Sequence, residues 1–185
     1  MSEVTDLIAS KVKELRTFGE RLLPNGTQLI SPAPEIAPKA WHFVLFAPLK
    51  PHVIEEMEKE LDATFPEDFR NFLKVWNGVK LFGYEINVWG KRKNFAREGD
   101  EAWQPFNLSS HNRRSERPGG SPESIVYIGS AEHGEKWIFI DLSENGKIGS
   151  TPRWQYEPDQ YWSNFNEWLR SEFVRLWTEH YERES

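Results

Sequence analysis

Side chains able to do chemistry are plentiful in this chain, but their spacing is poor for catalysis. Five histidines (His42, His52, His111, His133 and His180) fall in five separate segments, with no i, i+4 pair to present two metal ligands from one helix face. His133 stands between Glu132 and Glu135, where a polar turn is the simpler account, so no metal site is expected. The absence of cysteine removes disulfides, thiolate-bound metals and a thiol nucleophile. There is no Gly-x-Ser-x-Gly elbow. Carboxylates are numerous enough for a glycosidase-like pair, but most belong to outer helix faces, where they are solvated. No catalytic residue and no cofactor are expected.

A second kind of chemistry is suggested by Lys91–Arg97 (KRKNFAR) and Asn112–Arg117 (NRRSER), with Phe95, Trp103 and Phe106 interleaved. Rings that stack on bases beside cations that hold phosphates are what single-stranded nucleic acid requires. The whole chain argues against it. Formal charge is −6 and the isoelectric point is about 5.5. The charge is also uneven: residues 51–70 carry seven acids and two bases, and residues 91–117 carry seven bases and four acids.

At 185 residues the length suits one domain, or one domain with an extension, and is enough for a core without staples. Nine tryptophans and twelve phenylalanines make that core depend on large rings. The first residues are charged every few positions, unlike a signal peptide, and the apolar run Phe43–Pro48 is too short to span a membrane. A cytoplasmic location without membrane contact is the expectation.

These side chains need elements to hold them. Val4, Leu7, Ile8, Val12, Leu15, Phe18 and Leu22 recur at helical spacing and predict a helix over Ser2–Leu23. The proline-containing stretch to Lys39 reads as an extended arm lying over the domain rather than as part of its core. A second helix is expected near Val53–Leu61 and a third from Pro66, with Phe69, Phe72, Leu73 and Trp76 on one face and Asn77-Gly78 as its stop. The period then changes to two. Tyr84–Trp89, Ile125–Ile128, Trp137–Leu142 and Lys147–Ser150 predict strands of an antiparallel meander. A fourth helix closes the chain over Tyr161–Glu182. Helices, then strands, then a helix indicate α+β: a twisted antiparallel sheet of about four to six strands flanked by about four helices. Residues 107–124 are nearly devoid of apolar side chains and form a loop long enough to be functional or mobile.

Ile54–Gly78 (IEEMEKELDATFPEDFRNFLKVWNG) and Tyr127–Gly149 (YIGSAEHGEKWIFIDLSENGKIG) together resemble the SUKH superfamily. The first has the acidic helix, the turn ending in proline and the helix closing on Asn-Gly. The second has the strand–turn–strand, with Gly134-Glu135 where the family shows Gly-Asp, and with Asp141 at the strand aspartate. The resemblance runs from about Val44 to the C-terminus. It implies two parts, an N-terminal helix and arm over residues 1–40 and a SUKH-like α+β domain over 41–185. It also implies a protein-binding module without common catalytic residues: an immunity protein that neutralises a toxin, often a nuclease, or a relative of a fungal regulator of cell-wall assembly.

In such a module, exposed aromatics flanked by charge are the natural anchors. Trp154 and Tyr156 are the first candidates, with Trp103 and Phe106 next. Glu56, Glu60 and Asp62 on the acidic helix would steer a cationic partner. A cognate toxin or other protein is the expected partner, with no nucleic acid. The second reading is a carbohydrate or cell-wall-linked module using exposed tryptophans as platforms. Trp76, Trp137, Trp162 and Trp168 fall on apolar stripes and should be core, whereas Trp89, Trp103 and Trp154 sit in strand ends or polar loops.

Overall fold

The computed structural model describes residues 3–182. Its centre is one antiparallel sheet of nine strands, ordered as they occur in the chain: β1 (Glu20–Leu22), β2 (Gln28–Pro32), β3 (Trp41–Leu45), β4 (Val79–Leu81), β5 (Ile86–Val88), β6 (Ile125–Ala131), β7 (Lys136–Asp141), β8 (Lys147–Pro152) and β9 (Gln160–Trp162). Every neighbouring pair is antiparallel. Five α-helices accompany it: α1 (Glu3–Leu15), α2 (Pro51–Leu61), α3 (Glu67–Leu73), the four-residue α4 (Leu108–His111) and α5 (Phe165–Trp177). The fold is α+β.

The sheet is larger than the four to six strands expected, because β1, β4 and β9 have only three residues, too few to show a period of two, and because β2 lies in the stretch read as an arm. The stretch expected as an arm is part of the sheet. β2 pairs with β3 through Leu29↔Val44 and Ile30↔Phe43, and its prolines do not prevent this because Pro32 closes the strand. The N-terminal helix is also shorter than expected. α1 stops at Leu15, a turn over Arg16–Phe18 follows, and Leu22 lies exposed on β1. Ser2, the expected start, lies outside the described residues. At the other end, Tyr161 and Trp162 belong to β9, and α5 begins only after Asn164, whose side chain accepts from the Glu167 N–H at 2.9 Å. Glu167 accepts in turn from the Ser163 N–H at 2.8 Å, a reciprocal cap.

Directly opposed residues in an antiparallel ladder share a face. Ile30, Phe43, Leu45, Val79, Leu81, Ile86, Val88 and Ile138 lie in the main core with residues of α1, α3 and α5. Phe69 and Phe72 of α3 pack against Phe165 of α5 at 5.0 and 4.9 Å between ring centroids, and Phe173 lies 5.3 Å from Phe82. The opposite face can be followed across seven strands by register: Leu29, Val44, Lys80, Asn87, Ser130, Trp137, Thr151. On this side the four-residue α4 sets His111 against Trp89 and Trp137. The face is apolar at the β2–β3 end, where Leu23, Leu29, Val44 and Phe46 form a second small cluster, and becomes polar toward the middle.

Candidate partner-binding cleft on the loop-covered sheet face

Two loops, 91–107 and 112–124, lie over this second face together with α4, and primary amides hold them. Asn77, just after α3, donates from Nδ2 to the Lys91 carbonyl and accepts the Lys91 N–H at Oδ1, both at 2.7 Å. Gly90 makes this possible, since a β-carbon there would collide with Asn77 Oδ1. Gly78 follows with φ of +83°. α3 stops earlier than expected, at Leu73 with Lys74 as its cap, so the Asn77-Gly78 pair read as its stop clamps a loop instead. Asn25 Nδ2 donates to the Asp100 and Trp103 carbonyls at 3.2 and 3.1 Å, and Gln104 Oε1 accepts from the Lys93 and Asn94 N–H groups. In the second loop, Asn112 donates to the Tyr127 carbonyl at 2.7 Å and accepts the Tyr127 N–H at 2.8 Å. Each bond satisfies a backbone group that a loop lying over a sheet would otherwise leave unpaired.

Between the loops and strands β5–β8 lies a cleft of about 300 Å³. Trp89, His111 and Trp137 line its aromatic side, with ring centroids 4.2 Å apart for Trp89–His111 and 5.6 Å for Trp89–Trp137. His111 Nδ1 lies 3.0 Å from the Asn107 carbonyl; a carbonyl only accepts, so Nδ1 carries the proton. Phe106 and Trp154 flank the cleft, 42% and 60% exposed. Phe106 packs edge-on to His111 at 5.9 Å, and Trp154 lies 5.3 Å from Trp137. Three bulky residues around this cleft have left-handed backbones: Tyr84 (φ 79°), His133 (φ 55°) and Trp154 (φ 69°). Such conformations cost about 1–3 kcal/mol each and gather at functional sites.

The sequence-expected residues divide. Phe106 and Trp154 come together around this cleft. Trp103 lies in a separate cleft of about 400 Å³ between the 91–105 segment and Phe46–Leu49, half-buried against the second cluster. Tyr156, 41% exposed, lies over Gly120 in the second loop. Glu56, Glu60 and Asp62 are exposed on α2 or its end. Glu60 is engaged: Lys91 and Ser109 hydrogen-bond to it, and these contacts hold its carboxyl below the usual range. Asp62 occupies the left-handed cap of α2, with φ of 49°.

Sequence reasoning missed Lys80, Asn87 and Ser130, which form the middle of the face. No linear spacing links them, since they lie on three strands and meet only by register. It also left Trp89 open, and Trp89 is buried. Asp141 caps its own turn, accepting from the Ser143 N–H and hydroxyl at 2.9 and 2.6 Å. Among the described residues, no group of three or more His, Asp or Glu side chains could hold a metal ion, and no helix is long and apolar enough to cross a membrane.

A sheet with α1, α3 and α5 on one side, and α4 with amide-clamped loops bearing exposed rings on the other, defines an α+β domain with an accessible aromatic cleft. Residues 48–171, two thirds of the chain, match the SMI1 / KNR4 family (SUKH-1), and the chain belongs to that family. The family supports a toxin-immunity or regulator-like domain in general, and its domains are generally non-catalytic modules that bind protein partners. Among solved structures, the chain is similar to the crystal structure of a protein from Pseudomonas syringae pv. tomato, with 14% identity and a TM-score of 0.48 over 88% of this chain and 95% of that one. No curated protein matches.

Proposed function

We propose that this protein is a cytoplasmic, non-enzymatic immunity module that binds a toxin domain and blocks it, with Phe106 and Trp154 as its principal anchors. One observation carries this reading: two large rings stand exposed beside a preformed cleft, and Trp154 is held there against its backbone preference. A folded protein gains little from keeping such rings wet, whereas an interface core is built from them. Trp103 and Tyr156 extend the contact on either side. Glu56 and Asp62, which no cation pairs among the described residues, together with Glu60, supply the acidic flank that steers a cationic partner.

The test has two stages. Partners are captured from the source cells with the full chain and with a Phe106→Ala/Trp154→Ala variant, and each recovered partner is then expressed in a host with or without this protein. Protection by the wild type and its loss in the double variant are the expected results. A partner that is captured but not toxic, or toxicity that the wild type does not relieve, would remove the immunity reading.

A further inference from the structure

Among the described residues, the side chains of Asn87 and Arg153 at this cleft make no hydrogen bond or ion pair within the fold. Asn87, 4% exposed in the middle of β5, has a buried Oδ1 that accepts no hydrogen bond, and its Nδ2 donates to nothing among the described residues. A buried amide left so costs about 1–3 kcal/mol. Its register partner Lys80 is as unusual. Outside the cleft lining itself, the Lys80 ammonium lies 4.5 and 5.0 Å from the ring centroids of Tyr84 and Phe106, which do line it, and 5.9 Å from that of Phe46, with no carboxylate within 4.0 Å among the described residues. Burial lowers its pKa to about 8, so it is still mostly charged at neutral pH. Arg153 lines the cleft with its guanidinium 5.0 Å over Trp154, and it too has no carboxylate partner among the described residues. No aspartate or glutamate lines this space. The nearby Glu85 carboxylate is taken by His133 and His180, at 3.6 and 3.3 Å.

We infer that the cleft receives an aspartate or glutamate side chain of the protein partner, the carboxylate being taken by Arg153 and the Asn87 amide N–H, with Lys80 adding its charge from against the Tyr84 and Phe106 rings that line the cleft. Three features favour this source over a free anion. Cations without acids select a negative group. Asn87 Oδ1 still needs a donor, which a peptide main chain supplies beside its carboxylate and a bare anion does not. The exposed rings of Phe106 and Trp154 would remain wet around a small ion but are covered by a protein segment that follows its side chain inward. This inference rests on the binding reading above and names the chemistry of the group it binds.

The test is a nuclear magnetic resonance titration of the full chain, reading the indole N–H signals of Trp89 and Trp137 and the Asn87 amide signals. The probes are the peptide acetyl-Gly-Glu-Phe-Gly-amide, its Gln counterpart, inorganic phosphate and adenosine monophosphate. The Glu peptide should shift these signals saturably and bind about tenfold more tightly than the Gln peptide. Lys80→Met and Asn87→Leu should each remove that preference in a folded protein. Equal affinity for the Glu and Gln peptides would overturn the inference. So would saturation by phosphate or the nucleotide at lower concentration than the Glu peptide, or no shift with any probe at about 20 mM. Protection lost in the Phe106→Ala/Trp154→Ala variant but kept in Lys80→Met would overturn the carboxylate inference and leave the immunity reading standing.

Discussion

Asn77 and Lys91 hold each other through two reciprocal hydrogen bonds of 2.7 Å, so that the chain leaving α3 is fastened to the loop that carries Trp103 and Phe106. Replacing Asn77 by leucine leaves the Lys91 N–H and C=O without their partner. The expected loss is about 1–3 kcal/mol in chemical unfolding, with faster amide exchange over residues 91–107. Unchanged exchange in that loop would show that the clamp does not hold it.

Trp154 allows strain to be separated from contact. Its φ of 69° suits glycine, so Trp154→Gly should be about 1 kcal/mol more stable than Trp154→Ala. Both variants should weaken partner binding by about 2 kcal/mol or more, since both remove the ring. Equal stability of the two would argue that the backbone there is unstrained.

Lys80 makes stability depend on pH in a defined direction. Burial lowers its pKa from 10.5 to about 8, so the native protein releases this proton before the unfolded chain does. The unfolded state therefore binds more protons between about pH 8 and 10.5, and stability attributable to Lys80 rises across that window. Below it the burial penalty is fully present, although the surrounding ring faces offset part of it. Lys80→Met should be more stable than the wild type at pH 7 by up to about 3 kcal/mol, and the difference should shrink as the pH rises toward 10.5. Parallel stability curves would contradict this.

The boundary near residue 40 can be tested by truncation. Residues 41–185 alone would expose β3, which now pairs with β2 over Trp41–Leu45, and would uncover Val44 and Phe46 of the second cluster. We expect this fragment to be much less stable than the full chain and prone to associate through the bare edge. A monomeric fragment with the parent's midpoint of thermal unfolding would make residues 1–40 an appendage after all.

The parts of this molecule legible in its sequence are those with a local cause. Phe69, Phe72 and Leu73 declare α3 through their spacing, although Trp76, expected on the same helix face, lies beyond its end, and Asn145-Gly146 marks the turn between β7 and β8. The three-residue β4 and β9 carry no such mark and exist because neighbours pair with them. The same holds at the cleft. Phe106 and Trp154 were visible as rings flanked by charge. Lys80 and Asn87, seven positions apart, became adjacent only when β4 folded back on β5. Asn77 was visible as a stop signal, but its role as a clamp depends on Lys91, fourteen residues away.

The bonds seating residues 91–107 come largely from the neutral side chains of Asn25, Asn77 and Gln104, with Arg21–Asp100 and Lys91–Glu60 as its ion pairs. Carboxamides neither titrate nor attract counterions in the ordinary range. The platform under Trp103 and Phe106 should therefore keep its shape as buffers change, which makes ionic strength a clean experimental variable: whatever it alters in complex formation arises where the two molecules meet.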